Sequence, residues 1–171
     1  MQSIDLIQFY MGSHPDHKGR YLSDILAQDN AWLEATHDYI QWLFPNTTPS
    51  RITPNTPTLT PEVISEFKIN NVLKNQLFYS FQRILNFYGL AYRNSKIDKA
   101  KNWIERKDNW FTKNTHNNLR ITRIIKCLNS LGLSQQADDL YDALMELYQF
   151  ETDCDISSKV MHIWTTTICE K

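Results

Sequence analysis

Two segments gather side chains that could do chemistry. In His37-Asp38-Tyr39-Ile40-Gln41-Trp42-Leu43-Phe44-Pro45, a helix would put His37 and Gln41 four apart on one face, with Ile40, Leu43 and Phe44 turned to a core and Pro45 stopping the helix. An imidazole and an amide beside the Tyr39 and Trp42 rings are the parts of a ligand pocket. The competing reading is a buried anchor helix whose polar groups bond neighbouring backbone. In Thr115-His116-Asn117-Asn118-Leu119-Arg120-Ile121-Thr122-Arg123-Ile124, His116, Arg120 and Arg123 fall on one helical stripe at the positive end of the helix dipole. Guanidinium groups grip a carboxylate or phosphate bidentately and Asn117 and Asn118 can add amide donors, which is how an anion site is built. Here the alternative is glue between helices, with Arg120 and Arg123 paired to Asp138, Asp139 or Asp142.

Other residues point to chemistry less strongly. His14-Pro15-Asp16-His17 holds two imidazoles and a carboxylate, but a metal site needs three or four convergent ligands and no second cluster accompanies it, so it reads as a loop and no metal is expected. Cys127 lies on the apolar side of its helix, and no Ser, Cys or Thr sits in a nucleophile-elbow context. His162, with no partner in sequence, reads as structural. Trp103, Trp110 and Phe111 interleave with Lys101, Arg106, Lys107 and Lys113 in the manner of a single-strand-binding surface, although the pI near 6.5 and the core's own need for aromatics weigh against nucleic acid.

These side chains must be carried by helices. The 171 residues include only 4 glycines, too dispersed for a dinucleotide fingerprint or a P-loop, so no nucleotide cofactor is expected. With 42% hydrophobic residues the chain can build a sizeable core. The 3 cysteines lack zinc or disulfide spacing, and neither a leader pattern nor a membrane-length apolar run occurs, so a cytoplasmic protein is expected. Net charge is −1, yet residues 93–126 sum to +7 and residues 127–171 to −6. Packing of these two segments on each other would neutralise both; the alternative is an anionic partner on the basic one.

All 6 prolines lie between Pro15 and Pro61, and residues 45–60 read as a long Pro/Thr-rich loop. Helices are expected over 3–11, 21–28 and 30–44. Thr60 should cap a helix beginning at Pro61, and Asn70 or Asn71 the next, which Gly89 closes. A short basic piece follows at 96–107, with Ile97, Trp103 and Ile104 for packing. Thr115 opens a helix ended by Gly132, Ser134 another with Asp138, Asp139, Asp142 and Glu146 on a solvated face, and Asp155 or Ser157 the last. No β-rich segment persists. The expectation is an all-α, irregular helical bundle of seven to nine helices forming a single domain over 1–171.

The two signature segments resemble those of the opioid growth factor receptor family. Phe9-Tyr10, Pro15-Asp16, Gly19, Tyr21 and Asp24-Ile25-Leu26 look like its opening, and Leu59-Thr60, Glu62-Val63, Phe67-Lys68 and Phe87-Tyr88-Gly89 like its middle. Leu131-Gly132-Leu133 continues the second signature, so the resemblance runs over roughly residues 5–150. Animal members of the family are described as non-classical receptors for an enkephalin peptide, associated with the nucleus and restraining proliferation. Against them, the conserved domain alone is expected here, without a long tail, repeat array or import block. The resemblance implies a non-enzymatic module that binds a peptide or small anionic ligand. His37, Tyr39, Gln41, Trp42, His116, Asn117, Arg120 and Arg123 are its candidate contacts, with Tyr88 a further aromatic wall. The alternatives are a cofactor-independent enzyme using His37 or His116 as general base, and nucleic-acid binding through residues 93–126.

Overall fold

The computed structural model describes residues 2–50, 53 and 56–170, with the backbone alone for 2–4. Pro54 of the expected loop lies outside the described residues. The chain is mostly helical. Among the described residues there are ten α-helices, one more than the upper expectation, and one two-stranded sheet. Contacts group into two compact units, Met1–Ser80 and Phe81–Lys171.

In the first unit α1 (Gln2–Tyr10), α2 (Leu22–Leu26), α3 (Asn30–Ala35), α4 (Ile40–Leu43), α5 (Pro61–Ile69) and the start of α6 (Asn71–Phe87) bury Leu6, Phe9, Tyr10, Ile25, Phe44 and Phe67. Thr60 caps α5 by accepting from Val63 N, with Pro61 at its first position, as expected. Asn70 Oδ1 likewise accepts from Val72 and Leu73 N at the start of α6. The loop after Pro45 is pinned where Leu59 N donates to Asn46 O at 3.0 Å.

Residues 30–44 do not form one helix. Asp29 caps α3, Thr36 then turns extended, and the chain runs through His37 and Asp38 before the single turn of α4. His37 is therefore exposed in a connection, and it does not share a helical face with the buried Gln41. The break has two causes that periodicity cannot register. Tyr39 Oη donates back to Leu33 O at 3.0 Å, and Arg20, far upstream, holds Asp38 at 3.0 Å.

In the second unit the expected helical piece at 96–107 is split. Leu90–Arg93 (β1) and Lys96–Lys99 (β2) form an antiparallel hairpin, and only Trp103–Arg106 (α7) is α-helical, followed by a 3₁₀ turn at Lys107–Asn109. The hairpin turn is made by Asn94 and Ser95, both at positive φ (49° and 59°), the geometry that matches strand twist. Trp103 is buried, whereas Ile104 is 70% exposed and does not pack. His116–Ser130 (α8), Ser134–Phe150 (α9) and Ser158–Cys169 (α10) pack mutually around Ile121, Ile125, Leu128, Leu140, Leu144 and Trp164. Ser157 caps α10, while Ser134 is the first residue of α9 and not its cap.

The end of α6 organises this unit. A helix leaves its last carbonyls without intrahelical partners, and here Asn102 Nδ2 donates to Asn86 O, Arg106 Nε to Phe87 O, Trp110 Nε1 to Tyr88 O and Ala100 N to Gly89 O, all at 2.8–2.9 Å. Bringing residues 100–110 this close needs Gly89, whose φ is +78° and where an added Cβ would stand 2.8 Å from Trp103 Cα. Gly89→Ala adds a left-handed β-carbon and a backbone clash, so we expect a loss of roughly 2–4 kcal/mol. Thermal denaturation followed by circular dichroism should show a Tm lowered by at least several degrees; an unchanged Tm would refute the role given to this approach.

Candidate functional site

In the first unit the chain from His14 to Arg20 folds as a turn against Asp38 and Trp42. Asp16, its side chain fully buried, accepts from Lys18 N (2.8 Å) and Arg20 N (3.0 Å) through Oδ1 and from Arg20 Nε (2.7 Å) through Oδ2. Arg20 spans to Asp38 at 3.0 Å and lies 5.5 Å from the Trp32 ring centroid. Its hydrogen bonds and ion pairs with Asp16 and Asp38 outweigh the opposing effect of burial and raise the guanidinium above its ordinary range. His17 completes the series. Its Nδ1 accepts from Trp42 Nε1 at 2.9 Å, its ring stacks on the indole with 6.1 Å between centroids, and Nε2 faces Asp38 at 3.5 Å.

The result is a linear network, Trp42 to His17 to Asp38 to Arg20 to Asp16, that fixes the polar groups before any ligand arrives. Beside it opens a cleft of about 170 Å³ lined by Asp5, His14, Pro15, Asp16, His17, Trp42 and Pro57. Sequence reading placed Trp42 at a pocket and treated the His14–His17 run as a plain loop. The signal available was Pro15-Asp16 followed by Gly19 and Arg20, an Asx-type turn, but its partner Asp38 is too distant in sequence to be found by spacing.

The other candidates of this segment are placed differently. Tyr39 is fully buried and donates to Leu33 O, which places it in the core behind the segment. Gln41 is 8% exposed, with Oε1 lacking a hydrogen-bond partner among the described residues.

In the second unit the α8 stripe is graded from surface to interior. His116 is exposed, Arg123 half-buried and Arg120 only 5% exposed. Arg120 Nη1 donates to Asn117 Oδ1 at 3.3 Å, while Asn117 Nδ2 and Asn118 Nδ2 hold the preceding loop through Asn109 O (3.0 Å) and Thr112 O (3.1 Å). Asn117, fully buried, therefore orients Arg120 and ties backbone instead of offering an amide to solvent. Burial pulls the Arg123 guanidinium below its ordinary range. Tyr88 is core, 2% exposed and edge-on to Trp110, not a ligand wall.

Around this stripe five lysines of the basic middle segment pair with acids of the C-terminal end. Lys96 meets Glu146, Lys99 pairs with Glu151, Lys107 with Asp153, Lys113 with Asp155 and Lys126 with Glu170. Trp103, Trp110 and Phe111 are buried in one edge-to-face cluster and offer no stacking platform to single-stranded nucleic acid. Asp139, expected on a solvated face, is half-buried and accepts from Tyr92 Oη at 2.6 Å. Among the described residues no group of three His, Cys, Asp or Glu is placed to hold a metal ion, and no helix is long and apolar enough to cross a membrane.

Against known proteins, the family described as "Opioid growth factor receptor (OGFr) conserved region" matches residues 3–171. The opioid growth factor receptor of Homo sapiens is 37% identical over 123 residues, covering 67% of this chain and 18% of the receptor. That of Mus musculus is 34% identical over 134 residues (75% and 21%). Opioid growth factor receptor-like protein 1 of Xenopus tropicalis is 34% identical over 135 residues (74% and 25%). The chain thus spans about a fifth to a quarter of the length of these relatives. No solved structure matches it.

Two measurements check the geometry. Arg20→Leu removes the cation held between Asp16 and Asp38 and strands a buried carboxylate. Allowing for the partial exposure of Arg20, it should cost roughly 2–3 kcal/mol, read as a lower urea midpoint at unchanged m; a shift below about 0.5 kcal/mol would mean the network is not structural. Cys127 is fully buried, and desolvation pushes its thiol well above the ordinary range, while Cys169 is exposed. Native titration with a chromogenic disulfide should modify Cys169 quickly and Cys127 only on unfolding.

Proposed function

The chain belongs to the opioid growth factor receptor conserved-region family, and on that premise we propose that it is a non-enzymatic ligand-binding domain taking a peptide or small anionic ligand. The observation that carries the peptide-binding part of this reading is the Trp42 cleft, open and bordered by polar groups that hold one another in place. At about 170 Å³ it suits an end group of a peptide better than a whole small molecule. Prior fixation of the lining lowers the ordering cost that binding must overcome. The relatives' names as receptors point the same way.

A carboxylate or other anion is assigned to α8, where His116 and Arg123 meet solvent and Arg120 stands behind, oriented by Asn117. Gln41 and His37 take supporting places, the first beneath the Trp42 segment and the second at its surface. The lone pair of His17 Nδ1 is committed to the Trp42 indole, so this nitrogen is not a free general base.

Calorimetric titration of the full chain with an enkephalin pentapeptide, and with its C-terminal amide, tests the proposal. The free acid should bind. Arg123→Gln with His116→Ala, and amidation of the peptide, should each weaken binding at least about tenfold, or about 1.4 kcal/mol. No binding by the unaltered chain, or equal binding by the double variant, would overturn it.

A further inference from the structure

We infer that the cleft beside Trp42 is an ammonium site, taking the positively charged amine of a peptide. The inference rests on reading that cleft as a ligand site, and it adds the sign and type of the group that enters.

The argument is a census of what the lining can still bond. Trp42 has spent its indole N–H on His17. His17 accepts that bond at Nδ1, so its remaining N–H is on Nε2, which faces Asp38 and not the cleft's unfilled acceptors. Pro15 and Pro57 have no backbone N–H to give. Both Asp16 oxygens are occupied by Lys18 and Arg20. His14 Nδ1 lies 2.7 Å from Pro15 O, a group that can only accept, so the proton of the neutral ring is on Nδ1 and Nε2 presents a lone pair. Asp5, half-buried in the first turn of α1, brings a carboxylate. What is left open is thus an acceptor set, the Asp5 carboxylate and His14 Nε2, beside the small exposed part of Trp42, a ring 5% exposed with Phe9 and His17 packed against it.

The charge balance agrees with the census. Asp5, Asp16 and Asp38 stand at or next to the cleft, and among the carboxylates and guanidinium of this network only Arg20 opposes them. An anion would meet this field, with the indole N–H spent on His17 and no N–H on either proline. A divalent metal would need several hard oxygen ligands, whereas the cleft has one carboxylate with open capacity. An ammonium needs two or three acceptors and tolerates the indole, and its short alkyl neighbour fits the volume and the proline walls.

The test is ¹H–¹⁵N NMR of the full chain, following the Trp42 indole N–H, assigned by its loss in Trp42→Phe. n-Butylammonium chloride is the probe, with sodium butyrate and n-butanol as anionic and neutral matches. Butylammonium should shift the resonance saturably, the matched probes should not, and Asp5→Asn should weaken the response at least fivefold. An equal response to butyrate or butanol, or unchanged affinity in Asp5→Asn, would overturn the ammonium assignment and leave the cleft as a ligand site. No response to any probe at tens of millimolar would overturn both. N-acetyl-lysine methylamide and glycine methylamide present a side-chain and an α-ammonium respectively. Displacement of butylammonium by either is expected and identifies the source; displacement by neither would exclude a peptide amine.

Discussion

The carbonyl end of α6 is the constraint on which the second unit depends. Four successive carbonyls from Asn86 to Gly89 must be satisfied where the helix stops, and each finds its donor between Ala100 and Trp110. An unsatisfied buried carbonyl costs roughly 1–3 kcal/mol, so the set outweighs any single apolar contact there. The donors arrive together only because the hairpin returns the chain across Gly89; Trp110, packed edge-on against Trp103, and the Arg106 guanidinium over Phe87 then join the core beneath it. One local problem of hydrogen bonding thereby fixes the hairpin, α7 and the tryptophan cluster.

Asp16 has the equivalent place in the first unit. A fully buried carboxylate is costly unless its lone pairs are filled. It fills them with two backbone amides of its own turn and the Arg20 guanidinium, which then has charge enough to hold Asp38. That second contact interrupts the helix expected through residues 30–44, exposes His37 and aims Asp38 at His17. The cleft is a consequence of the turn.

Much of the helical framework was legible in sequence, and the failures have physical reasons. Thr60-Pro61, Ser157 and the Ile121, Ile125 and Leu128 stripe announce their helices through capping chemistry and 3.6-residue periodicity, both local signals. The hairpin was missed because its strands are four residues long and its turn is Asn94-Ser95, without the glycine that marks such turns. The site was half legible. Trp42 was singled out by its neighbours, but a density of polar and aromatic types does not say which ones face inward, so Tyr39 and Asn117 were read as contacts when both are fully buried supports. His17 was passed over because its importance comes from Trp42, 25 positions away.

Charge separates the two signature segments more sharply than composition suggested. The run of lysines in residues 93–126 is answered by Glu146, Glu151, Asp153, Asp155 and Glu170, so the sequence dipole is spent largely within the second unit. Surface pairs of this kind contribute little individually, but together they reduce the positive field of the segment. On α8 itself the cationic groups are graded by burial, with Arg123 half-buried and Arg120 behind it. Partial burial suits an arginine to a directional anion contact, since desolvation strengthens its pull on a carboxylate while weakening its appeal to screened, diffuse charge. In the Trp42 segment the indole N–H is already given to His17, and Gln41 Oε1 has no partner among the described residues. Two segments that each carry a histidine, amide chemistry and apolar anchors thus differ in what they present, because burial and prior pairing decide how their polar groups are used.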